Sequence, residues 1–307
     1  MPHRRAIRET PVLATSRACI GRLFIDLERV LRQNVFGDDT RQEADIGTMV
    51  LIVTAVMEGH AEGRPMTATR LEKRLDIPHG TMIRKLANLV EMGQVARDGG
   101  EYFMTPKRRT TVPPEEMRER YKQVLTRALV ELMELGYLTP SQPPKMDGRS
   151  HENPVKDATP SAFVHDNPLY NRARIAYIRL YIETWKLHTG RIFEKAPEKS
   201  SEATGCVIVS QCVTLGSLEG KPWSASKIAR ELRLPPRTVR NKLKLLMELD
   251  VVERGRGKHR GCYIITDQFR AMPRPRAMKY RKIFMTALNE CLPAMRAAGD
   301  LQQLGLA

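Results

Sequence analysis

Two short runs, 157 residues apart, carry side chains able to bond base edges and phosphates. The first holds His79, Thr81, Arg84, Lys85 and Asn88; the second holds Arg237, Thr238, Arg240, Asn241 and Lys244. At about 100° per residue, Gly80, Thr81, Arg84 and Asn88 share one arc of a helix, opposite an apolar stripe of Met82, Leu86 and Leu89. In the second run Arg237, Thr238, Asn241 and Lys244 lie opposite Val239, Leu243 and Leu246. Small, polar and cationic residues on the outer arc of a short helix are the types that enter a nucleic-acid groove. Further cations follow each run: Arg97 after the first, and Arg254, Arg256, Lys258, His259 and Arg260 after the second.

The helices that carry these runs begin just after Asp76-Ile77-Pro78 and Arg233-Leu234-Pro235, which break the short helices before them. Thr67 and Ser224 stand where those preceding helices need an N-cap, and Leu71, Leu75, Ile228 and Leu232 give them an inward face. Two short helices separated by a tight turn form a helix-turn-helix signature. Gln94 to Arg97 and Tyr102 to Thr105 then read as two extended pieces joined by Asp98-Gly99-Gly100, a hairpin turn. The second hairpin is longer. Its tip, Arg254 to Gly261, alternates cations with glycines, so that a thin ribbon can lie along phosphates or in a minor groove.

The 157-residue offset is a repeat of the chain itself. From Arg22/Arg179 to Arg97/Arg254 the two halves align without a gap, and about 20 of the 76 positions are identical, against roughly one in 16 expected by chance. Small further shifts bring Tyr102 and Thr105 onto Tyr263 and Thr266. Each copy opens with an amphipathic helix (Arg17 to Val35, and the stripe Ile175, Ile178, Ile182, Trp185). An almost wholly apolar helix follows (Met49 to Met57, Cys206 to Leu215), and each copy ends in a long helix (Glu115 to Leu135, Arg276 to Ala297). The expected division is a basic arm at 1–16, a first domain at 17–138, a Pro-rich linker at 139–168, a second domain at 169–298 and a tail at 299–307. A flexible linker of about 30 residues spans on the order of 30 Å, close to one turn of duplex.

This order of helices and hairpin resembles the MarR-like winged helix-turn-helix regulators of bacteria. Thr81, Arg84, Leu86, Leu89, Gly93, Val95 and Arg97 stand at the spacing of that family's recognition helix and wing, and Thr238, Leu243, Leu246, Val252 and Arg254 repeat it. The sequence departs from the pattern where Asp98 to Glu101 replace a basic wing tip and where Asp250 replaces a glycine. The resemblance implies a mainly α, α+β fold of two tandem winged-helix domains with flanking long helices. It also implies that the two copies pair as an intrachain pseudo-dimer, or that two chains form a homodimer, on double-stranded DNA.

Charge agrees with a polyanionic partner. The chain has 51 Lys and Arg against 35 Asp and Glu, a net charge of +16, with +4 on residues 1–150 and +12 on 151–307. No Gly-rich phosphate loop, paired-carboxylate spacing or nucleophile elbow occurs, which argues against an enzyme. His60, His79, His188 and His259 share no metal-ligand spacing and read as surface or capping histidines, and Met49, Met57, Met82 and Met92 read as packing. Neither a metal nor a cofactor is expected. Cys206 and Cys212, set among Val207, Ile208 and Val213, read as buried thiols; five cysteines without C-x-x-C fit a reducing cytoplasm, and the expected location is the nucleoid. No stretch reaches bilayer length. Pro106 to Arg109 and Met1 to Arg8 are further candidate phosphate contacts. The expected role is a sequence-specific transcriptional regulator. Its rivals are a plasmid or phage replication initiator with tandem winged helices, and a winged-helix protein adaptor.

Overall fold

Buried apolar side chains in the computed structural model are arranged around two separate helical cores, one for each of two compact units. The structure describes residues 11–36, 46–105, 114–136, 168–196, 203–272, 274–297 and 299. Residues 1–10 of the expected arm, 300–307 of the tail, Pro106 to Arg109 and nearly all of the linker lie outside these residues, whereas residues 11–16 of the expected arm are already helical. The described residues are mostly helical, with two small antiparallel three-stranded sheets among them.

Unit 1 takes residues 1–48, 111–138 and 185–281. Helix α1 (Pro11–Phe36) and helix α5 (Pro114–Glu134) pack together. Helix α6 (Pro168–Ile192) contributes only its last eight residues to this unit. Helix α7 (Ala203–Leu218) forms the centre, with Cys206, Val207, Val209 and Val213 all buried. Against α7 pack α1, in which Leu23, Phe24, Leu27 and Leu31 are buried, and helix α9 (Pro236–Glu248), in which Val239, Leu243 and Leu246 are buried. Helix α8 (Ala225–Leu232) precedes α9, and the sheet has strand order β4 (Trp223–Ser224), β6 (Cys262–Ile265), β5 (Val252–Arg254). A short helix α10 (Asp267–Arg270) follows, capped by Thr266, whose hydroxyl accepts from the Phe269 N–H. Arg32 of α1 is buried, pairs with Glu28 at 3.0 Å and donates to the Leu232 carbonyl at 2.9 Å. It thereby ties α1 to the last residue of α8, at the turn that launches α9.

Unit 2 takes residues 49–110, 139–184 and 282–307. Helix α2 (Ile46–Ala61) is its apolar centre, followed by β1 (Met66–Thr67), α3 (Ala68–Leu75), α4 (His79–Glu91), β2 (Val95–Asp98) and β3 (Glu101–Met104). The part of α6 up to Thr184 belongs here, as does helix α11 (Arg274–Ala297) from Lys282 onward. Glu58, buried in α2, accepts from Arg74 of α3 at 2.9 Å and from Arg179 of α6 at 3.2 Å. Thus 17–138 and 169–298 mark the sequence repeat, whereas the compact units interleave it, each taking its first long helix from the other copy.

The repeat holds down to single bonds. Met66 pairs with Tyr102 and Trp223 with Tyr263. Thr67 caps α3 by accepting from the Arg70 N–H, and Ser224 caps α8 by accepting from the Lys227 N–H. Both helices end in a left-handed residue, Asp76 at φ 56° and Arg233 at φ 50°. Gly93 and Asp250 share another positive-φ site, at 67° and 55°. Asp is one of the few non-glycine residues that tolerate this region, which explains how the second copy can do without the glycine that the first copy has here. The Thr105 and Thr266 hydroxyls donate to the Gly93 and Asp250 carbonyls at 2.6 and 2.7 Å. Gly59 and Gly216 are required by close approach: a Cβ at Gly216 would lie 2.6 Å from Trp223 Cδ1 and 3.0 Å from the Lys221 oxygen. Gly216→Ala is expected to cost about 1–3 kcal/mol, because neither the ring nor the backbone can yield cheaply. Thermal unfolding checks this, and an unchanged midpoint contradicts it.

His60 and His188 correct the surface reading, since both are buried. The aligned positions His60 and Ser217 do the same work: each accepts a sheet N–H, from Met104 at 3.2 Å and from Ile265 at 3.0 Å. His188 Nδ1 lies 2.9 Å from both the Gln211 amide nitrogen and the Tyr280 hydroxyl. Because an amide NH2 can only donate, Nδ1 is the acceptor. Burial pulls His60 down to about 4, and burial, with Arg191 and Arg17 adding to it, pulls His188 down to about 3. The unfolded chain therefore binds protons first as pH falls below about 6.5. Stability present at neutral pH is lost through that range. Between pH 7 and pH 5 the loss is expected to be about 2 kcal/mol per histidine, and equal urea midpoints at the two pH values would exclude it.

Candidate nucleic-acid interface

Helix α9 is held by its apolar stripe. Val239, Leu243 and Leu246 are fully buried, so the opposite arc must face outward. On that arc Arg237, Arg240, Asn241 and Lys244 are exposed and Thr238 is half-buried. Among the described residues none of the three cations forms an ion pair, which leaves their charge available to a ligand. Pro235 and Pro236 start the helix, and Arg237 lies in its first turn.

The hairpin after α9 adds four more exposed cations. Arg254 sits on β5 with its guanidinium 5.9 Å from the Tyr263 ring centroid, which props the side chain along the ribbon. Beyond it the tip is an ordered turn rather than a plain ribbon, with a 3-10 helix at Gly257–His259. The Gly255 N–H donates to the Cys262 carbonyl at 2.9 Å, and a Cβ on Gly255 would meet the His259 oxygen at 2.6 Å. Glycine there lets the chain fold back on itself. Arg256, Lys258 and Arg260 project outward and are exposed, and His259 is half-buried. The acidic side chains within this stretch are Glu248, Asp250 and Glu253, against seven exposed cations on α9 and the hairpin and an eighth, Lys242, that is half-buried.

Helix α4 has the same frame and different chemistry. Met82, Leu86 and Leu89 are buried, as expected. Arg84 is exposed, while Thr81 and Asn88 are half-buried. His79 Nδ1 lies 2.9 Å from a Glu72 carboxylate oxygen, so it has a partner within its own unit. Lys85 departs from the expected contact set: it is only 4% exposed and lies with the core stripe. Gly99 and Gly100, at φ 53° and 86°, make the tight two-residue turn of the first hairpin. Arg97 lies 5.8 Å from the Tyr102 ring centroid, as Arg254 does from Tyr263, but Asp98 and Glu101 flank it.

Comparison with protein-family models, with curated proteins and with solved structures finds no match.

One surface escaped the sequence reading. Of the four large apolar side chains that the described residues expose, three belong to α4 or its end: Ile83 at 42%, Val90 at 38% and Met92 at 39%. Met92 therefore does not serve as core packing. With Gly80 and Ala87, Ile83 and Val90 form a stripe along the outer face. At the aligned positions α9 carries Arg237, Arg240, Lys244 and Met247. The signal was available in the repeat, by comparing the copies position by position instead of listing polar residues. Among the described residues no cluster of His, Cys, Asp or Glu is arranged for a metal, and no helix is long and apolar enough to cross a membrane. Cys206 and Cys212 are buried, and burial pushes the Cys212 thiol well above its ordinary range.

Proposed function

We propose that the chain is a sequence-specific double-stranded DNA-binding transcriptional regulator built from two tandem winged helix-turn-helix units. In this reading α9 enters a major groove and the second hairpin acts as a wing along the phosphates. The observation that carries it is the run of seven exposed cations on α9 and the hairpin after it, held outward by a fully buried leucine and valine stripe. Arginines on the groove-facing arc can bond guanine O6 and N7 in pairs, and Asn241 can bond adenine. The interleaving of the repeat between the compact units supports a covalent pseudo-dimer.

Selection of bound fragments from a random duplex library by the full chain tests the proposal. Enrichment of a motif, retarded at moderate salt far better than unrelated duplex, is the expected result. A library that stays random through repeated rounds overturns it.

A further inference from the structure

We infer that the outer face of α4 is a self-complementary contact by which a second copy of this chain docks, α4 against α4, antiparallel across a two-fold axis near Ala87. The face is apolar where its counterpart on α9 is cationic: Gly80, Ile83, Ala87 and Val90 replace Arg237, Arg240, Lys244 and Met247 on an otherwise matching frame. Selection for a phosphate-binding surface does not produce that replacement. Three of the four exposed large apolar side chains of the described residues gather here, and such clustering marks a contact surface more than scattered exposed residues do.

A second copy fits because the face matches its own reverse. In an antiparallel pair with its axis beside Ala87, Ile83 falls within one residue of Val90 of the partner, and the same contact recurs on the other side of the axis. Arg84 likewise falls within one residue of the partner's Glu91, near enough for these two long side chains to form an ion pair on each side of the axis. Both side chains are exposed and neither has an ion pair among the described residues. Ala87 at the crossing point leaves room for the helices to approach closely. The equivalent face of α9 could not pair with itself, because Arg237, Arg240 and Lys244 would meet like charges. A stripe from one helix is far smaller than a standard interface of roughly 800 Å² per partner, so the dimer is weak and reversible, with a Kd on the order of 10 µM.

Sedimentation equilibrium of the full chain without DNA, from micromolar to hundreds of micromolar, tests this inference. A monomer–dimer equilibrium is expected. Ala87→Glu places two carboxylates at the axis and should raise Kd at least tenfold. Arg84→Glu and Glu91→Arg should each weaken the dimer severalfold, and the double swap should restore it, which a surface acting only through apolar area would not do. All these positions are exposed, so thermal unfolding should stay unchanged and serves as the folding control. A chain monomeric throughout, a dimer indifferent to Ala87→Glu, or a double swap that fails to recover affinity would each overturn the inference. The measurement is made without DNA, so its outcome does not depend on whether the chain binds a duplex.

Discussion

Replacing Arg237 and Arg240 together by alanine is expected to lower affinity for a selected duplex between about thirtyfold and about twenty-thousandfold. Each good bidentate arginine–guanine contact is worth about 1–3 kcal/mol of discrimination. Two such contacts removed from one helix account for that range. The loss should be selective, greatest on the chosen sequence and small on unrelated duplex, because base contacts specify whereas phosphate contacts only position. Both side chains are exposed, and the buried stripe of Val239, Leu243 and Leu246 is untouched, so the fold should survive. Competition titrations with specific and random duplexes read the two affinities separately. Equal loss on both would reassign these arginines to the backbone.

Neutralising Arg256, Lys258 and Arg260 should give the opposite signature. These side chains stand on a turn that projects beyond the sheet, in a hairpin tip without an acidic residue between Arg254 and Gly261. Cations in such a place contact phosphates, and each contact releases about 0.9 counterion from duplex. The triple substitution should weaken binding to every sequence alike, and flatten the plot of log affinity against log salt by about three units or somewhat less. Titrations across a range of salt check this. An unchanged slope would remove the hairpin from the DNA surface and leave α9 alone.

Local order was legible wherever one physical signal dominated. The boundaries of α3, α4, α8 and α9 followed from Pro78, Pro235 and the caps at Thr67 and Ser224, because backbone chemistry at those positions admits few alternatives. Tyr102 and Tyr263, which small further shifts of the repeat bring together, pair with Met66 and Trp223, themselves aligned at the 157-residue offset. Strands β1 and β4 were not legible. Two residues cannot show a period of two, and they become strands only because a partner edge lies beside them. Lys85 went wrong because it sits at the border of the inward stripe, where helical phase alone does not fix the side of a long side chain. His60 and His188 went wrong because their partners, a sheet N–H for one and Gln211 and Tyr280 for the other, are remote in sequence. The composition of the units was beyond reach as well. Gap-free repetition shows what each copy contains, but not that α1 packs on α7 of the other copy.

At the candidate interface the sequence found the cations and overlooked the hydrophobes. Arg240 and Lys244 drew attention by charge, while Ile83 and Ala87 at the same helical positions read as unremarkable apolar residues until exposure was known. Amphipathic pattern fixes the buried side of α4 through Met82, Leu86 and Leu89, but an apolar residue off that stripe carries no label saying what covers it.

Protection of individual lysines from reductive methylation tests the central claim most directly. The full chain is labelled with and without its selected duplex, and each lysine is read by mass spectrometry. If α9 and the hairpin form the DNA surface, Lys244 and Lys258 become strongly protected, while Lys282, exposed on α11, labels at the same rate in both samples. Duplex that leaves Lys244 and Lys258 as reactive as before, or that shields Lys282 equally, contradicts the account.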